Sequence, residues 1–171
     1  TYTGVGGDDV GRFIISGSGL RFQYPPNYEL PLDEHGDNEY QLEVMADDGN
    51  GGVATQFIKV LVTPSNEGAP QFASDDFVIV AENSTGVVLT VHAVDDDLPA
   101  VALTYSLAGD DVDDFDLNTV TGELTFKVDR IPDFEIPRDS NADNVYHLVV
   151  TATDGLHPAT QAITINVTSL N

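Results

Sequence analysis

Apolar and polar residues alternate along several short stretches of the chain. Residues 89–94 (LTVHAV), 146–153 (YHLVVTAT) and 163–167 (ITINV) show this period of two and are rich in β-branched side chains. Such a pattern predicts strands that bury one face. Turn-forming sequences such as VTGE (120–123) and SNEGAP (65–70) separate the strands. No stretch has a sustained helical period, so the pattern predicts an all-β protein.

The chain also repeats itself. Residues 28–49 (YELPLDEHGDNEYQLEVMADDG) match residues 134–155 (FEIPRDSNADNVYHLVVTATDG) without a gap. Downstream, ATQFIKVLVT (54–63) matches ATQAITINVT (159–168). About seven short strands in a unit of about 105 residues predict a Greek-key β-sandwich that occurs in tandem.

The repeat sets the predicted domain boundaries. Residues 1–65 would form the C-terminal two-thirds of one repeat, and residues 66–171 a complete second repeat. The first repeat has no counterpart of residues 67–103, so we expect it to expose sheet edges and apolar surface. We expect another chain, or a segment that precedes Thr1, to fill that gap.

Composition narrows the classes of partner. The chain has 29 Asp and Glu against 6 Lys and Arg, a formal net charge of -23. This charge disfavours nucleic acid and anionic membrane surfaces and favours cations. No cysteine is present, which excludes disulfides and thiolate chemistry. No apolar run is long enough to predict a transmembrane span, so we expect no membrane insertion by this fragment.

The acidic residues fall into short motifs in a fixed order. These are AEN (81–83), AVDDD (93–97), PDFE (132–135) and ATD (152–154), preceded by the linker VTPSNEGAP (62–70). Together they resemble the motifs of the cadherin repeat, in particular the cadherin-like repeats of large bacterial surface and secreted proteins. The resemblance covers the whole second repeat and the latter two-thirds of the first. It implies a seven-stranded sandwich, calcium ions at the junctions of tandem repeats, and a location outside the cell or at its surface.

The resemblance also implies two sets of calcium ligands. At the junction of the two repeats it implies Glu29, Asn66, Glu67, Asp95, Asp97 and Asp154. At the far end of the second repeat it implies a half-site made of Glu82, Asp133 and Glu135. Calcium takes six to eight oxygen ligands. Because alternate side chains of an extended segment point the same way, Asp95 and Asp97 can face one ion while Asp96 points away.

The chain departs from the cadherin pattern at four positions near the junction. Asn27 stands in place of an acidic residue, Pro64 and Gly68 replace linker Asp and Asn, and Glu67 is longer than the usual Asp. A linker residue that binds calcium through its backbone carbonyl would tolerate such changes, whereas one that binds through its side chain would not. We expect one to three ions at this junction.

A second acidic motif, DSNADN (139–144), allows two interpretations. Asp139, Asn141 and Asp143 have the spacing of the start of an EF-hand loop, but the position of the closing acid is Val150. The EF-hand interpretation therefore fails. The motif is interpreted as a polar loop before a strand, and a weaker local cation site is the alternative.

No pattern in the chain predicts an enzyme. The four histidines are scattered, with His92 and His147 at outward strand positions, and Tyr40 and Tyr146 fall on apolar strand faces that predict a core. No catalytic triad order, phosphate-binding loop or zinc spacing is present.

The predicted function is that of a calcium-rigidified tandem module of a larger extracellular protein, which serves adhesion or acts as a spacer. Its partners would be calcium, another copy of the repeat, or a cell-surface protein or polysaccharide. The alternative is a carbohydrate-binding module of a secreted polysaccharide-degrading enzyme or adhesin, which the absence of Trp disfavours. Specific homophilic adhesion is a third possibility.

Overall fold

The structure is a computed structural model that describes residues 1–170, and it divides into two compact units, Thr1–Ser65 and a second that begins at Asn66. Strands dominate both units, and the only helical turns in residues 1–170 are two short 3₁₀ turns, Val10–Arg12 and Val112–Asp114. The strands are β1 (Tyr2–Gly6), β2 (Phe13–Ser16), β3 (Gly19–Phe22), β4 (Glu39–Asp47), β5 (Val53–Leu61), β6 (Gln71–Phe72), β7 (Phe77–Ala81), β8 (Val87–Thr90), β9 (Ala93–Val94), β10 (Thr104–Ala108), β11 (Phe115–Leu117), β12 (Glu123–Phe126), β13 (Val145–Thr153) and β14 (Pro158–Thr168).

The first unit packs a three-stranded sheet against a hairpin. The sheet has the order β1-β4-β5 with antiparallel neighbours, and β2 and β3 form the hairpin. Phe13 and Phe22 of the hairpin contact Tyr40 of β4, with ring centroids 6.0 and 5.0 Å from it. Tyr40 and its neighbour Leu42 are buried, so the centre of this unit lies at the start of β4.

The second unit is a more complete sandwich. One sheet has the order β10-β13-β14-β7, in which β14 and β7 are parallel, and the opposite sheet has the order β11-β12-β8. The apolar residues of β13 and β14 that alternate in the sequence are all buried: Tyr146, Leu148, Val150, Ala152, Ile163, Ile165 and Val167. His92 and His147 are exposed. The predicted inward and outward positions of these strands are confirmed, and so is the predicted all-β sandwich.

The described part of the second unit, residues 66–170, has nine strands rather than the seven expected. The apolar run 87–94 changes partner along its length, because β8 pairs with β12 whereas β9 pairs with β6. At the change, the backbone N–H of Val91 donates to the carbonyl of Gly122 at 2.9 Å. One predicted strand is therefore divided into two pieces that belong to different sheets.

Equivalent residues have the same surroundings in the two units. Phe115, Phe126 and Tyr146 form a cluster with centroid distances of 4.4, 5.4 and 5.3 Å, like the cluster of Phe13, Phe22 and Tyr40. Burial in the second cluster raises the pKa of Tyr146 to about 12, since the interior disfavours the charged phenolate. The aromatic positions of the sequence repeat thus serve as the same packing centre twice.

Candidate metal centres

Three carboxylates of the second unit lie together beyond the ends of two strands. Asp95 and Asp97 follow β9, and Asp154 follows β13. One oxygen of each carboxylate lies within 4.8 Å of the others. This group is called the Asp95 cluster below. Carboxylates so close repel one another unless a cation lies between them, so this arrangement can hold a cation.

The turn after β13 fixes the side chain of Asp154. Its Oδ1 accepts hydrogen bonds from the backbone N–H groups of His157 and Leu156, both at 2.7 Å. These hydrogen bonds lower the pKa of Asp154 from 3.8 to about 2. The carboxylate is therefore ionised at neutral pH, as a calcium ligand must be.

The segment that begins the second unit contacts Asp97. The backbone N–H groups of Glu67 and Gly68 donate to Oδ2 of Asp97 at 3.0 and 3.2 Å. The N–H of Asp97 donates in turn to Oδ1 of Asp95 at 3.0 Å. Glu67 thus reaches the cluster through its backbone, and the residue itself is exposed.

Two oxygens of the Asp95 cluster are buried without a hydrogen bond. They are Oδ2 of Asp95 and Oδ2 of Asp154. A buried polar atom with no partner costs about 1–3 kcal/mol, and a charged one costs more. A hard divalent cation that takes oxygen ligands would offset this cost. The donor set of the cluster therefore fits calcium.

A histidine that belongs to none of the predicted ligand motifs, His157, lies beside this cluster. Nδ1 of His157 is 2.7 Å from Oδ1 of Asn66 and 3.5 Å from Oδ2 of Asp154. Its only sequence signal is its position in the turn that holds Asp154, three residues further along. The contact brings Asn66, a predicted ligand, to the edge of the cluster.

A second cluster contains Glu82, Asp133 and Glu135, whose carboxylate oxygens also lie within 4.8 Å of one another. Glu82 follows β7 and is buried. Its Oε1 accepts a hydrogen bond from the N–H of Leu170 at 2.6 Å, and its Oε2 accepts one from the N–H of Phe134 at 3.2 Å. These two bonds, that of Leu170 first, lower the pKa of Glu82. Both oxygens of Glu82 are satisfied, in contrast to the Asp95 cluster.

The structure thus groups six of the nine predicted ligands into two clusters. Two more predicted ligands border the Asp95 cluster. Asn66 contacts the ring of His157, and the N–H of Glu67 donates to Asp97. Glu29 belongs to the first unit, where its N–H donates to Oδ1 of Asn27 at 2.8 Å. Its role as a ligand stays a prediction.

The DSNADN motif builds a loop held by its own backbone. Asp139 is buried and accepts the N–H groups of Asp143 and Asn144 at 2.8 and 3.0 Å. Asp111 accepts the N–H groups of Ser140 and His147, both at 2.6 Å. Each of these four carboxylate oxygens has a hydrogen-bond donor. Within residues 1–170, no group of three side chains close enough to share a metal ion lies at this loop. The geometry favours the polar-loop interpretation.

Asp48, the repeat counterpart of Asp154, has a different setting. It is exposed, and its Oδ1 accepts the N–H groups of Asn50 and Gly52 at 2.7 and 2.9 Å. These bonds lower the pKa of Asp48. Asp154 lies close to two other carboxylates, those of Asp95 and Asp97. Within residues 1–170, Asp48 belongs to no such group. Asp48 is therefore a control for the role of Asp154.

The sequence is similar to segments of animal protocadherins. The chain is 29% identical to human protocadherin Fat 1 over 159 residues, which are 91% of this chain and 3% of that protein. It is 32% identical to rat protocadherin Fat 2 over 170 residues, which are 96% of this chain and 4% of that protein. The chain thus spans only a small part of these relatives. Both are animal proteins, and the bacterial setting expected from the sequence stays a prediction.

Solved structures agree with the sequence comparison. The extracellular domain of protocadherin γB4 matches 98% of this chain with a TM-score of 0.62 and 27% identity, and the match covers 26% of that chain. Repeats EC22–24 of mouse cadherin-23 match 99% of this chain with a TM-score of 0.64 and 25% identity, and the match covers 52% of that chain. No family model matches the sequence. Within residues 1–170 no helix has the length and apolar character needed to cross a bilayer.

Proposed function

Because this chain carries cadherin-repeat domains, we propose that it is a calcium-stabilised tandem module of a larger protein, with residues 1–65 as a partial repeat and 66–171 as a complete one. The segment is extracellular, like the ectodomains that it matches. Its role is non-catalytic: it serves adhesion or acts as a spacer. Its partners are calcium and either another copy of the repeat or a molecule of the cell surface.

One observation carries the calcium proposal. In the Asp95 cluster, Oδ2 of Asp95 is buried and accepts no hydrogen bond, and the buried Oδ2 of Asp154 has the ring of His157 no nearer than 3.5 Å. Three carboxylates with oxygens within 4.8 Å of one another repel, which raises the energy of the calcium-free state. A divalent ion would supply the missing positive charge, with Asp95, Asp97 and Asp154 as its ligands.

Calcium would stabilise the folded module because it binds the assembled cluster and not the unfolded chain. The expected gain is about 2.7 kcal/mol when free calcium is 100 times the dissociation constant. The ion would also neutralise Asp97, which already accepts the N–H groups of Glu67 and Gly68. Binding would therefore hold the segment that begins the second unit, which is the basis for a stiff spacer.

The proposal includes two further sets of residues. Glu82, Asp133 and Glu135 would form a second, weaker site, since both oxygens of Glu82 already accept hydrogen bonds. Glu29 is proposed as a ligand contributed by the first unit. The side chains of Asn66 and Glu67 complete the proposed set.

Calcium titration by calorimetry, combined with thermal unfolding in calcium and in EDTA, tests the proposal. We expect calcium to raise the melting temperature of the chain. The double variant Asp95→Asn/Asp154→Asn should lose most of that rise, because it removes two of the three charges of the cluster. The matched control Asp48→Asn should keep the rise, since Asp48 lies outside both clusters.

Equal melting temperatures in calcium and EDTA would refute the calcium proposal. An equal loss of the calcium effect in the Asp48→Asn control would refute the assignment to the Asp95 cluster. Small-angle scattering of the wild-type chain in the two conditions then tests the spacer role: an unchanged profile on calcium binding would contradict a stiffening effect.

A further inference from the structure

The side chain of His157 joins two parts of the second unit that are 91 positions apart in the sequence. Its Nδ1–H donates to Oδ1 of Asn66 at 2.7 Å, since an amide oxygen can only accept. The same nitrogen lies 3.5 Å from Oδ2 of Asp154. The ring therefore lies between a carboxylate of the Asp95 cluster and the residue that begins the second unit.

The backbone around His157 restricts where this ring can lie. The N–H of His157 donates to Oδ1 of Asp154 at 2.7 Å, and Pro158 follows directly. A residue before proline is confined to extended conformations, which leaves its side chain few directions. His157 is also half-buried. The turn that holds Asp154 thus positions the ring as well.

The turn does not need a side chain at this position. In the first unit the equivalent turn is one residue longer and runs from Asp48 to Gly52. There the N–H of Gly52 donates to Oδ1 of Asp48 at 2.9 Å, and Gly52 precedes β5 as His157 precedes β14. A glycine and a histidine therefore make the same backbone hydrogen bond in the two units. The ring of His157 accordingly has a role other than building the turn.

The segment at the start of the second unit is attached to the Asp95 cluster at two points. At one point Asn66 accepts the hydrogen bond of His157. At the other, the N–H groups of Glu67 and Gly68 donate to Oδ2 of Asp97 at 3.0 and 3.2 Å. Glu67 and Gly68 are exposed, whereas Asn66 is half-buried. The hydrogen bond of His157 is therefore the contact that fixes the first residue of this segment.

We propose, on the basis of the calcium site inferred above, that His157 is a positioning residue of the Asp95 cluster: its ring holds Asn66 beside the cluster before calcium binds and so raises the calcium affinity. An amide oxygen has two lone pairs, so Oδ1 of Asn66 can accept from His157 and still ligate calcium. Fixing a flexible segment costs conformational entropy. A segment that is already fixed spares calcium binding that cost.

Three variants of the whole chain separate the hydrogen-bond donor from the ring. His157→Phe keeps a ring without the donor, and His157→Asn keeps an N–H donor near the position of Nδ1 without the ring. His147→Phe is the matched control, because it makes the same exchange at an exposed histidine outside both clusters. We expect His157→Phe to lower the calcium affinity about three- to tenfold, the effect of one lost hydrogen bond, and His157→Asn to lower it less than about twofold. The control should keep the wild-type affinity.

Calcium titration followed by NMR, at one fixed pH, measures the affinity of each cluster separately. The amide signal of Gly155, which follows Asp154, reports the Asp95 cluster. The amide of Phe134, which donates to Glu82, reports the other cluster. The affinity measured at Gly155 should fall in His157→Phe, whereas the affinity measured at Phe134 should stay the same. A general loss of structure would lower both.

A double-mutant cycle with Asn66→Ala tests whether His157 acts through Asn66. If it does, adding His157→Phe to Asn66→Ala causes no further loss of calcium affinity. Hydrogen exchange of the calcium-free protein tests the same point without the ion. The N–H groups of Glu67 and Gly68 should exchange about threefold faster or more in His157→Phe, while those of β13 and β14 keep their rates.

Equal calcium affinities of the wild type and His157→Phe would overturn the positioning role and leave the calcium proposal standing. Equal losses in His157→Phe and His157→Asn would overturn it too, because the donor would then have no role, and so would a further loss in the Asn66→Ala background. A wild-type chain that binds no calcium would overturn both this inference and the proposed function. If His157→Phe does not fold, His157→Ala replaces it, since the first unit makes the turn with Gly52 and no side chain.

Discussion

Replacing Ile163 with Ala is expected to destabilise the second unit far more than Ile58→Ala destabilises the first. The two isoleucines occupy equivalent positions, in ATQAI of β14 and ATQFI of β5. Ile163 is 1% exposed and belongs to the core, whereas Ile58 is half-buried in the wall of an open apolar groove of the first unit. The comparison therefore varies the packing while the side chain and the strand position stay the same.

The expected loss of stability in each variant follows from the number of carbon atoms removed and from how far they are buried. Ile→Ala deletes three carbons, which are worth about 2.4 kcal/mol at about 0.8 kcal/mol each when fully buried. The closed cavity left at position 163 adds to this, so a total of about 3 kcal/mol is expected within the usual range of about 2–5 kcal/mol. At position 58 about half of the transfer term is lost and no closed cavity forms, which gives about 1 kcal/mol.

Urea unfolding, followed through the amide NMR signals of each unit, measures separately how far each substitution lowers the free energy of unfolding. Working in EDTA keeps calcium linkage out of the comparison. If the free energy of unfolding falls by the same amount in both variants, Ile58 lies in a closed core in solution and the reasoning about the groove is wrong.

Three further predictions concern the acidic residues. The pKa of Asp154 is lower in the folded state than in the unfolded state. In calcium-free protein, the stability that its carboxylate contributes relative to Asp154→Asn should therefore be complete above about pH 3.8 and be lost as the pH falls through about 2. A difference in free energy of unfolding between the two proteins that stays constant in urea titrations down to about pH 2 would contradict this. Asp111→Ala leaves the N–H groups of Ser140 and His147 without acceptors, so unfolding should become about 1–3 kcal/mol easier while the calcium affinity measured by calorimetry stays the same. Glu82→Gln should weaken one class of calcium sites and leave the Asp95 cluster intact, and an unchanged binding isotherm would remove Glu82 from the list of ligands.

Much of the fold is predictable from the sequence because one face of each strand is buried. The alternation in 146–153 and 163–167 correctly gave the inward and outward side chains of β13 and β14. The tyrosines at 40 and 146 are core residues, as their apolar strand faces predicted. The open edges and exposed apolar surface of the first unit also followed from comparing the two repeats.

Other features depend on contacts that no local pattern records. The run 87–94 reads as one strand, and its division into β8 and β9 depends on pairing with two different sheets. The N–H of Glu67 donates to Asp97, a backbone contact that the prediction of its carboxylate as a ligand did not include. His157 reaches Asn66 across 91 positions of sequence, a separation that composition and spacing do not reveal.

The buried carboxylate oxygens of this chain are of two kinds: some accept backbone N–H groups, and others have no hydrogen-bond donor. Both oxygens of Asp111 accept backbone N–H groups, and its counterpart Asp9 does the same with Glu34 and Gln41. Because the same pairing of both oxygens with backbone donors recurs in the two units, these aspartates are held as loop-stabilising residues. Asp154 has one oxygen of each kind: backbone N–H groups satisfy Oδ1, whereas Oδ2 is buried with no hydrogen bond. A buried carboxylate oxygen without a donor is therefore what separates the proposed calcium ligand Asp154 from Asp9 and Asp111.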